Sequence, residues 1–159
     1  MQKSLIINNL EFAQNALKLD EAFEASHLTR LSEMLVPNAK IKINIELTGA
    51  GKQFRQPSLH LRIKTELSLI CQRCLDEMLM PIDLSFDYLL GDAVDSAQDD
   101  DDTEWLEIDQ AMNLLDLIED ELLMALPIAP THAHKCSQLS TKSGEKPNPF
   151  AVLKSLKKS

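Results

Sequence analysis

Soft thiols, imidazoles and clustered cations are the side chains in this sequence best suited to hold a ligand. The thiols come as Cys71-Gln72-Arg73-Cys74, a spacing that lets one tight turn aim both sulfurs at a single point. Such a pair is half of a tetrahedral zinc site, which needs two further nitrogen or sulfur donors. His132-x-x-x-Cys136 can supply them, with His134 as an alternative nitrogen. Three thiolates and one imidazole leave no open coordination position, so the site would be structural rather than catalytic. Two other readings fit the same thiols. A thioredoxin-like dithiol would open a helix in a β-α-β unit, where the helix N-terminus lowers the thiol pKa. Here Leu75 and Asp76 follow in what reads as a β-turn. The third reading is three cysteines that belong to the fold without any metal.

The cations depend on strand parity. Lys42, Arg62 and Lys64 are even-numbered in runs whose odd residues are apolar, so they project from one face of a hairpin, with Arg73 near its end. A patch of this kind suits phosphate contacts, which are sensitive to salt and largely independent of base sequence. No aromatic residue interleaves with the cations, so stacking of single-stranded bases is poorly provided for. The alternative is a strand face that is simply solvated.

Other chemistries lack their residues. Four glycines form neither G-x-x-x-x-G-K-[ST] nor G-x-G-x-x-G. His60 and Ser58 lie near acids, but nothing marks the serine as a nucleophile on a strained turn, and His60 reads as a strand residue on the polar face. Asp99 to Asp102 lack the spaced ligands and turn glycine of an EF-hand loop and read as a solvated face. No enzyme emerges.

The elements that must position these groups follow from periodicity. Ser26 is the predicted N-cap of a first helix carrying Leu28, Leu31 and Leu35, stopped by Pro37-Asn38. A stretch near Leu10 to Leu17 fits helix and strand periods about equally. Ile41, Ile43, Ile45 and Leu47 then alternate with polar residues, as do Leu59, Leu61, Ile63, Leu67 and Leu69 after a Gly49-Ala50-Gly51 turn. A third run, Ile82, Leu84, Phe86 and Tyr88, follows the cysteine turn. Short connections and one polar face predict an antiparallel sheet and not a parallel one. Residues 91–109 hold nine acids and read as a mobile acidic loop whose far end docks through Trp105. Asp109 is the predicted cap of a second helix, roughly residues 110–126, with Asp116, Glu119 and Asp120 on its solvent side. The fold class is therefore α+β, an antiparallel β-meander packed with an N-terminal and a C-terminal helix. Residues 1–136 make the single domain.

Length and composition agree with this. A chain of 159 residues with 44% apolar side chains can bury one core. No stretch approaches the ~20 apolar residues of a membrane span. Three cysteines without a secretory leader predict a reducing cytoplasm. The net charge of −9 is segregated: residues 1–73 carry ten basic and seven acidic groups. Residues 74–134 carry seventeen acids and no Lys or Arg, while residues 135–159 carry six basic groups against Glu145. A segregated acidic protein can still present a basic surface locally. The segment 137–159 reads as a flexible tail ending in a short basic helix. Pro149 would take its first position, Phe150, Leu153 and Leu156 one side, and Lys157 its C-terminus.

Three stretches together resemble the YceD family of large ribosomal RNA subunit accumulation proteins. They are Leu69-Ile70-Cys71-Gln72-Arg73-Cys74, the helical block from Leu117 to Pro127, and Lys146-Pro147-Asn148-Pro149-Phe150-Ala151-Val152-Leu153. The resemblance implies a cytoplasmic, non-enzymatic factor needed for accumulation of 23S ribosomal RNA, through ribosome assembly or RNA protection. It also suggests a metal centre, zinc being the expected ion. On this reading Lys42, Arg62, Lys64 and Arg73 contact RNA, and Pro149, Phe150, Leu153, Leu156 and Lys157 engage a partner protein. The partner is ribosomal RNA or a large-subunit assembly intermediate, with no membrane and no small-molecule substrate. The alternative is a protein-interaction module that chaperones a basic ribosomal protein through residues 92–121 and never touches RNA.

Overall fold

The computed structural model of the chain describes residues 4–51, 56–91 and 104–136. The expected tail helix, and residues 92–103 of the expected acidic loop, lie outside them.

Alternating apolar residues build the central sheet. In β3 (Lys42–Gly49), Ile43, Ile45 and Leu47 are buried, and in β4 (Ser58–Ile70) so are Leu59, Leu61, Ile63, Leu67 and Leu69. In β5 (Glu77–Leu90) the buried set is Ile82, Tyr88 and Leu90. The three pair antiparallel in registers that oppose Ile45 to Ile63 and Ile63 to Leu84, so one face is apolar except at Thr65. This part of the sheet is as the alternation predicts.

Two further strands flank it. The sheet order is β2-β3-β4-β5-β6, where β2 is Lys18–Glu24 and β6 is Glu104–Leu106. β2 starts at the end of the stretch whose periods were ambiguous. α1 (Asn9–Gln14) overlaps the first part of that stretch and is capped by Asn8 Oδ1 accepting from Glu11 N at 3.1 Å. β6 corrects the expectation of a wholly antiparallel sheet: Tyr88, Leu89 and Leu90 pair with it in parallel. It also places the Trp105 end of the expected loop in a strand. A separate two-residue pairing joins β1 (Ile6–Ile7) to β7 (Met112–Asn113).

The helices lie against the apolar face. α1 crosses the end of β3, where a Cβ on Gly49 would meet the Phe12 carbonyl and lie 2.9 Å from Ala13 Cα. α2 (Thr29–Met34) contacts α3 (Leu114–Ala125), which buries Leu114, Leu115, Ile118 and Leu122. Both predicted caps need correction. Ser26 sits in a 3-10 turn, Ala25–His27, with its hydroxyl on Glu24, and the N-cap position of α2 is Leu28, which has no side-chain acceptor. The missing acceptor comes from α3: Glu119 Oε1 takes the Leu31 N–H at 3.0 Å and Oε2 takes Arg30 Nε at 2.9 Å. Glu119 is therefore buried and not on the solvent side. α3 itself is capped by Asn113, four residues beyond Asp109. Among the described residues no helix is long and apolar enough to cross a membrane.

Candidate metal centre

β4 ends at Ile70 and β5 begins at Glu77, so the cysteine pair occupies the turn between the two longest strands. Leu75 adopts φ +65°, and two backbone bonds close the turn, Leu75 N to Cys71 O and Cys71 N to Asp76 O, each 2.9 Å. Gln72 N donates to Pro130 O at 2.8 Å, which ties the turn to the segment following α3. Pro127 and Pro130 end helical continuation there and bring the chain back past the turn.

The result is a four-residue cluster. Ligand atoms of Cys71, Cys74, His132 and Cys136 all lie within 4.8 Å of one another, with Cys71 buried and the other three half-buried. Cys71 Sγ is 3.6 Å from Cys136 Sγ, and Cys74 Sγ is 3.4 Å from His132 Nδ1. A zinc ion with bonds of about 2.3 Å to sulfur and about 2.0 Å to nitrogen sets tetrahedral edges of roughly 3.5–3.8 Å. The Cys71–Cys136 and Cys74–His132 edges are close to that scale. The arrangement could hold a metal ion, and its donor set is the one the spacing predicts. His134 lies beside His132, ring centroids 4.9 Å apart, but outside the cluster.

Electrostatics favour ionised sulfur at two of the three positions. Burial pushes the Cys71 thiol up, but backbone N–H groups of Cys74, Arg73 and His132 outweigh it and hold the thiol at about 5. Cys136 is likewise lowered: burial opposes ionisation, and the Arg73 guanidinium and His132 favour it more strongly. At Cys74 the Asp76 N–H pulls down, while burial and the two neighbouring sulfurs push up to about 11. His132 is raised by its bonds to Cys136 and Cys71. Three sulfurs in one space cannot all carry charge unless a cation joins them.

Arg73 is turned onto this cluster. Its Nε donates to Cys136 Sγ at 3.1 Å, and Nη2 donates to the carbonyls of His132, at 2.8 Å, and His134. Sequence reasoning had grouped Arg73 with the outward cations, because parity says nothing about a loop that approaches from sixty residues away.

The other three predicted cations do share the outer face of the sheet, interleaved with acids. Arg62 is held bidentate by Asp83, at 3.1 and 3.0 Å, and Lys64 reaches the same carboxylate at 3.5 Å. Both the raised Arg62 and the lowered Asp83 follow first from that hydrogen bonding. Among the described residues no carboxylate pairs with the Lys42 ammonium. His60, also on this face, bonds Asp87 through Nδ1 at 2.7 Å and lies 3.4 Å from Ser85 Oγ, so the serine beside it is Ser85 and not Ser58. The strand amides there belong to an antiparallel ladder and are engaged between strands.

Comparison with known proteins decides the family. The sequence profile described as "Large ribosomal RNA subunit accumulation protein YceD" matches residues 59–157, more than half of the chain. The chain belongs to the YceD family. A YceD protein of that same description from Haemophilus influenzae is 27% identical over 166 residues, covering 96% of this chain and 95% of the relative. No solved structure matches. The YceD match begins at the start of β4 and runs through all four cluster residues.

Proposed function

We propose that this YceD protein supports accumulation of 23S ribosomal RNA as a non-enzymatic cytoplasmic factor, by binding RNA or a large-subunit assembly intermediate. The observation that carries the proposal is the family match over residues 59–157, reinforced by a relative of that name aligned along nearly the whole chain. In this reading the Cys71, Cys74, His132 and Cys136 cluster holds one zinc ion that closes the fold. The ion ties the β4–β5 turn to the segment after α3, two pieces that the Gln72–Pro130 backbone bond and Arg73 also join. Zinc binding of this kind is folding energy, because the unfolded chain holds no preformed site.

Lys42 and Lys64 are the proposed phosphate contacts, with Arg62 joining them by exchanging Asp83 for phosphate. Two such contacts predict an affinity loss of roughly tenfold between 50 and 200 mM salt. Lys42→Glu combined with Lys64→Glu should abolish RNA binding and its salt dependence while leaving the melting temperature near wild type. RNA affinity unchanged by both reversals would overturn direct RNA contact. The second reading, a chaperone for a basic ribosomal protein, is favoured by the pairing of Arg62 and Lys64 with Asp83 and by the nine acids of residues 91–109. It predicts salt-sensitive capture of a basic protein that the same reversals leave intact.

A further inference from the structure

β5 is the longest strand of the sheet, and most of one side of it has no neighbour among the described residues. Register decides which backbone groups face that side. Leu90 N donates to Pro57 O and Cys71 N to Asp76 O, each at 2.9 Å and both in phase with the β4–β5 pairing. Directly opposed residues of an antiparallel ladder exchange bonds at every second position, so the even-numbered residues of β5 turn their N–H and C=O groups to β4. The odd-numbered ones, Leu79, Pro81, Asp83, Ser85 and Asp87, turn theirs to the open side. Pro81 fits this phase, because its missing N–H falls where no β4 bond needs one. β6 covers the edge only from Tyr88 to Leu90. Among the described residues no hydrogen bond engages the outward amides of Asp83 and Ser85.

We propose that the β5 edge from Pro81 to Asp87 takes, in antiparallel pairing, an extended segment of a partner protein in which apolar and basic residues alternate. Sheet edges are normally guarded by inward-pointing charges, prolines or bulges. β2, the opposite edge strand, is guarded: Glu21 sits at an inward position between Leu19 and Phe23. Past Pro81, β5 carries no such guard. Its inward side chains there are Ile82, Leu84 and Phe86, and the last two are only half-buried against the core. Apolar side chains of an added strand would complete their cover. On the outward side stand Asp83 and Asp87, and no Lys or Arg occurs between residues 74 and 134. Asp83 shares Arg62 and Lys64, whereas among the described residues Asp87 is paired with His60 alone and its side chain is 73% exposed. A basic residue docked opposite Asp87 therefore gains an ion pair. A second copy of the chain fits less well: two-fold pairing about Ser85 sets Asp83 against Asp87, and like charges directly opposed destabilise a sheet.

In strand addition the backbone bonds supply affinity and the alternating side chains supply specificity, so such an edge accepts many sequences of one pattern. This inference builds on the second reading above, giving a basic protein a defined seat apart from the acids of residues 91–109. Its failure would leave RNA contact and zinc binding untouched.

Residue-resolved hydrogen exchange on the full-length protein tests it, with a short peptide of alternating valine and lysine as the probe. In the free protein the Asp83 and Ser85 amides should exchange fast, and the Leu84 and Phe86 amides, bonded to β4, slowly. The peptide should slow Asp83 and Ser85 by at least about tenfold. With its lysines on the Asp83 face, antiparallel pairing turns the lysine N–H groups toward β5 and the valine N–H groups away. Methylating the lysine backbone nitrogens should therefore abolish the effect, and methylating the valine nitrogens should preserve it. Ser85→Pro removes one outward N–H without touching β4 and should weaken binding several-fold. Equal binding of the two methylated peptides would show charge attraction alone and overturn the proposal, as would a peptide that leaves both amides fast. So would Asp83 and Ser85 amides that are already slow in the free protein, whether at every concentration, from cover by the chain itself, or only at high concentration, from a second copy. Capture of a basic ribosomal protein that survives Ser85→Pro would keep the second reading and remove this seat.

Discussion

Arg73 donates to one sulfur and two backbone carbonyls of the 132–136 segment, and this makes it a positioning residue for the candidate metal site. A planar guanidinium can serve three acceptors in fixed directions, which a lysine ammonium on a flexible stem cannot. Partners of metal ligands typically contribute 10–100-fold to affinity. Arg73→Ala should therefore weaken zinc binding by about that factor in competition with a chromogenic chelator, and Arg73→Lys should recover only part of it. Unchanged affinity in Arg73→Ala would remove this role. A second residue-scale effect involves none of the four cluster residues: buried Glu121 accepts the Tyr88 hydroxyl at 2.8 Å. Burial raises the Glu121 carboxyl; the Tyr88 bond opposes this, and Glu104 and Asp120 reinforce it. The folded protein thus keeps this proton to higher pH than the unfolded chain does. Its favourable contribution is full below the ordinary carboxyl range and is lost as pH rises through the folded value. Glu121→Gln keeps an acceptor for Tyr88 without the charge. Its stability relative to wild type should rise from about pH 4 to about pH 7 in urea titrations. A difference that stays flat over that window would contradict the assignment.

At the scale of elements, α2 shows why a helix start can be misread. Ser26 has the chemistry of a cap, but the chain turns once more before the helix begins, and the acceptor arrives from α3 as Glu119. Local sequence holds no trace of a cap supplied from 88 residues away. Glu119→Ala leaves the Leu31 N–H buried without a partner and leaves Arg30 with Asp120 alone, a loss expected at about 1–3 kcal/mol in denaturant unfolding. Glu119→Gln, which keeps the acceptor for Leu31, should cost less. Equal losses would mean that packing, not capping, dominates. The strands β3, β4 and β5 were legible because their apolar residues alternate, broken in β4 at Thr65, and that face is buried or half-buried along all three. β2 was not, because Glu21 occupies an inward, half-buried position between Leu19 and Phe23 and breaks the apolar run. β6 was hidden for a different reason: three residues in parallel pairing carry too short a pattern to separate from the acidic run before them.

For the whole molecule, the candidate metal site was readable because its four residues are chemically distinctive and come in two short spacings, Cys71-x-x-Cys74 and His132-x-x-x-Cys136. That the two halves meet needed only a β-turn on one side and proline-ended α3 on the other. The cationic face was half legible. Parity placed Lys42, Arg62 and Lys64 together, but only cross-strand register could place Asp83 opposite Lys64 and beside Arg62. The central claim is that one ion joins the β4–β5 turn to the chain after α3 and so completes the fold. The most direct measurement is metal content by elemental mass spectrometry on reduced, full-length protein, paired with thermal unfolding before and after chelation. The account predicts one zinc per chain, a fall of well over ten degrees in melting temperature on its removal, and substoichiometric zinc in Cys71→Ser. Metal-free protein with the same melting temperature as the chelator-treated and Cys71→Ser samples would contradict it.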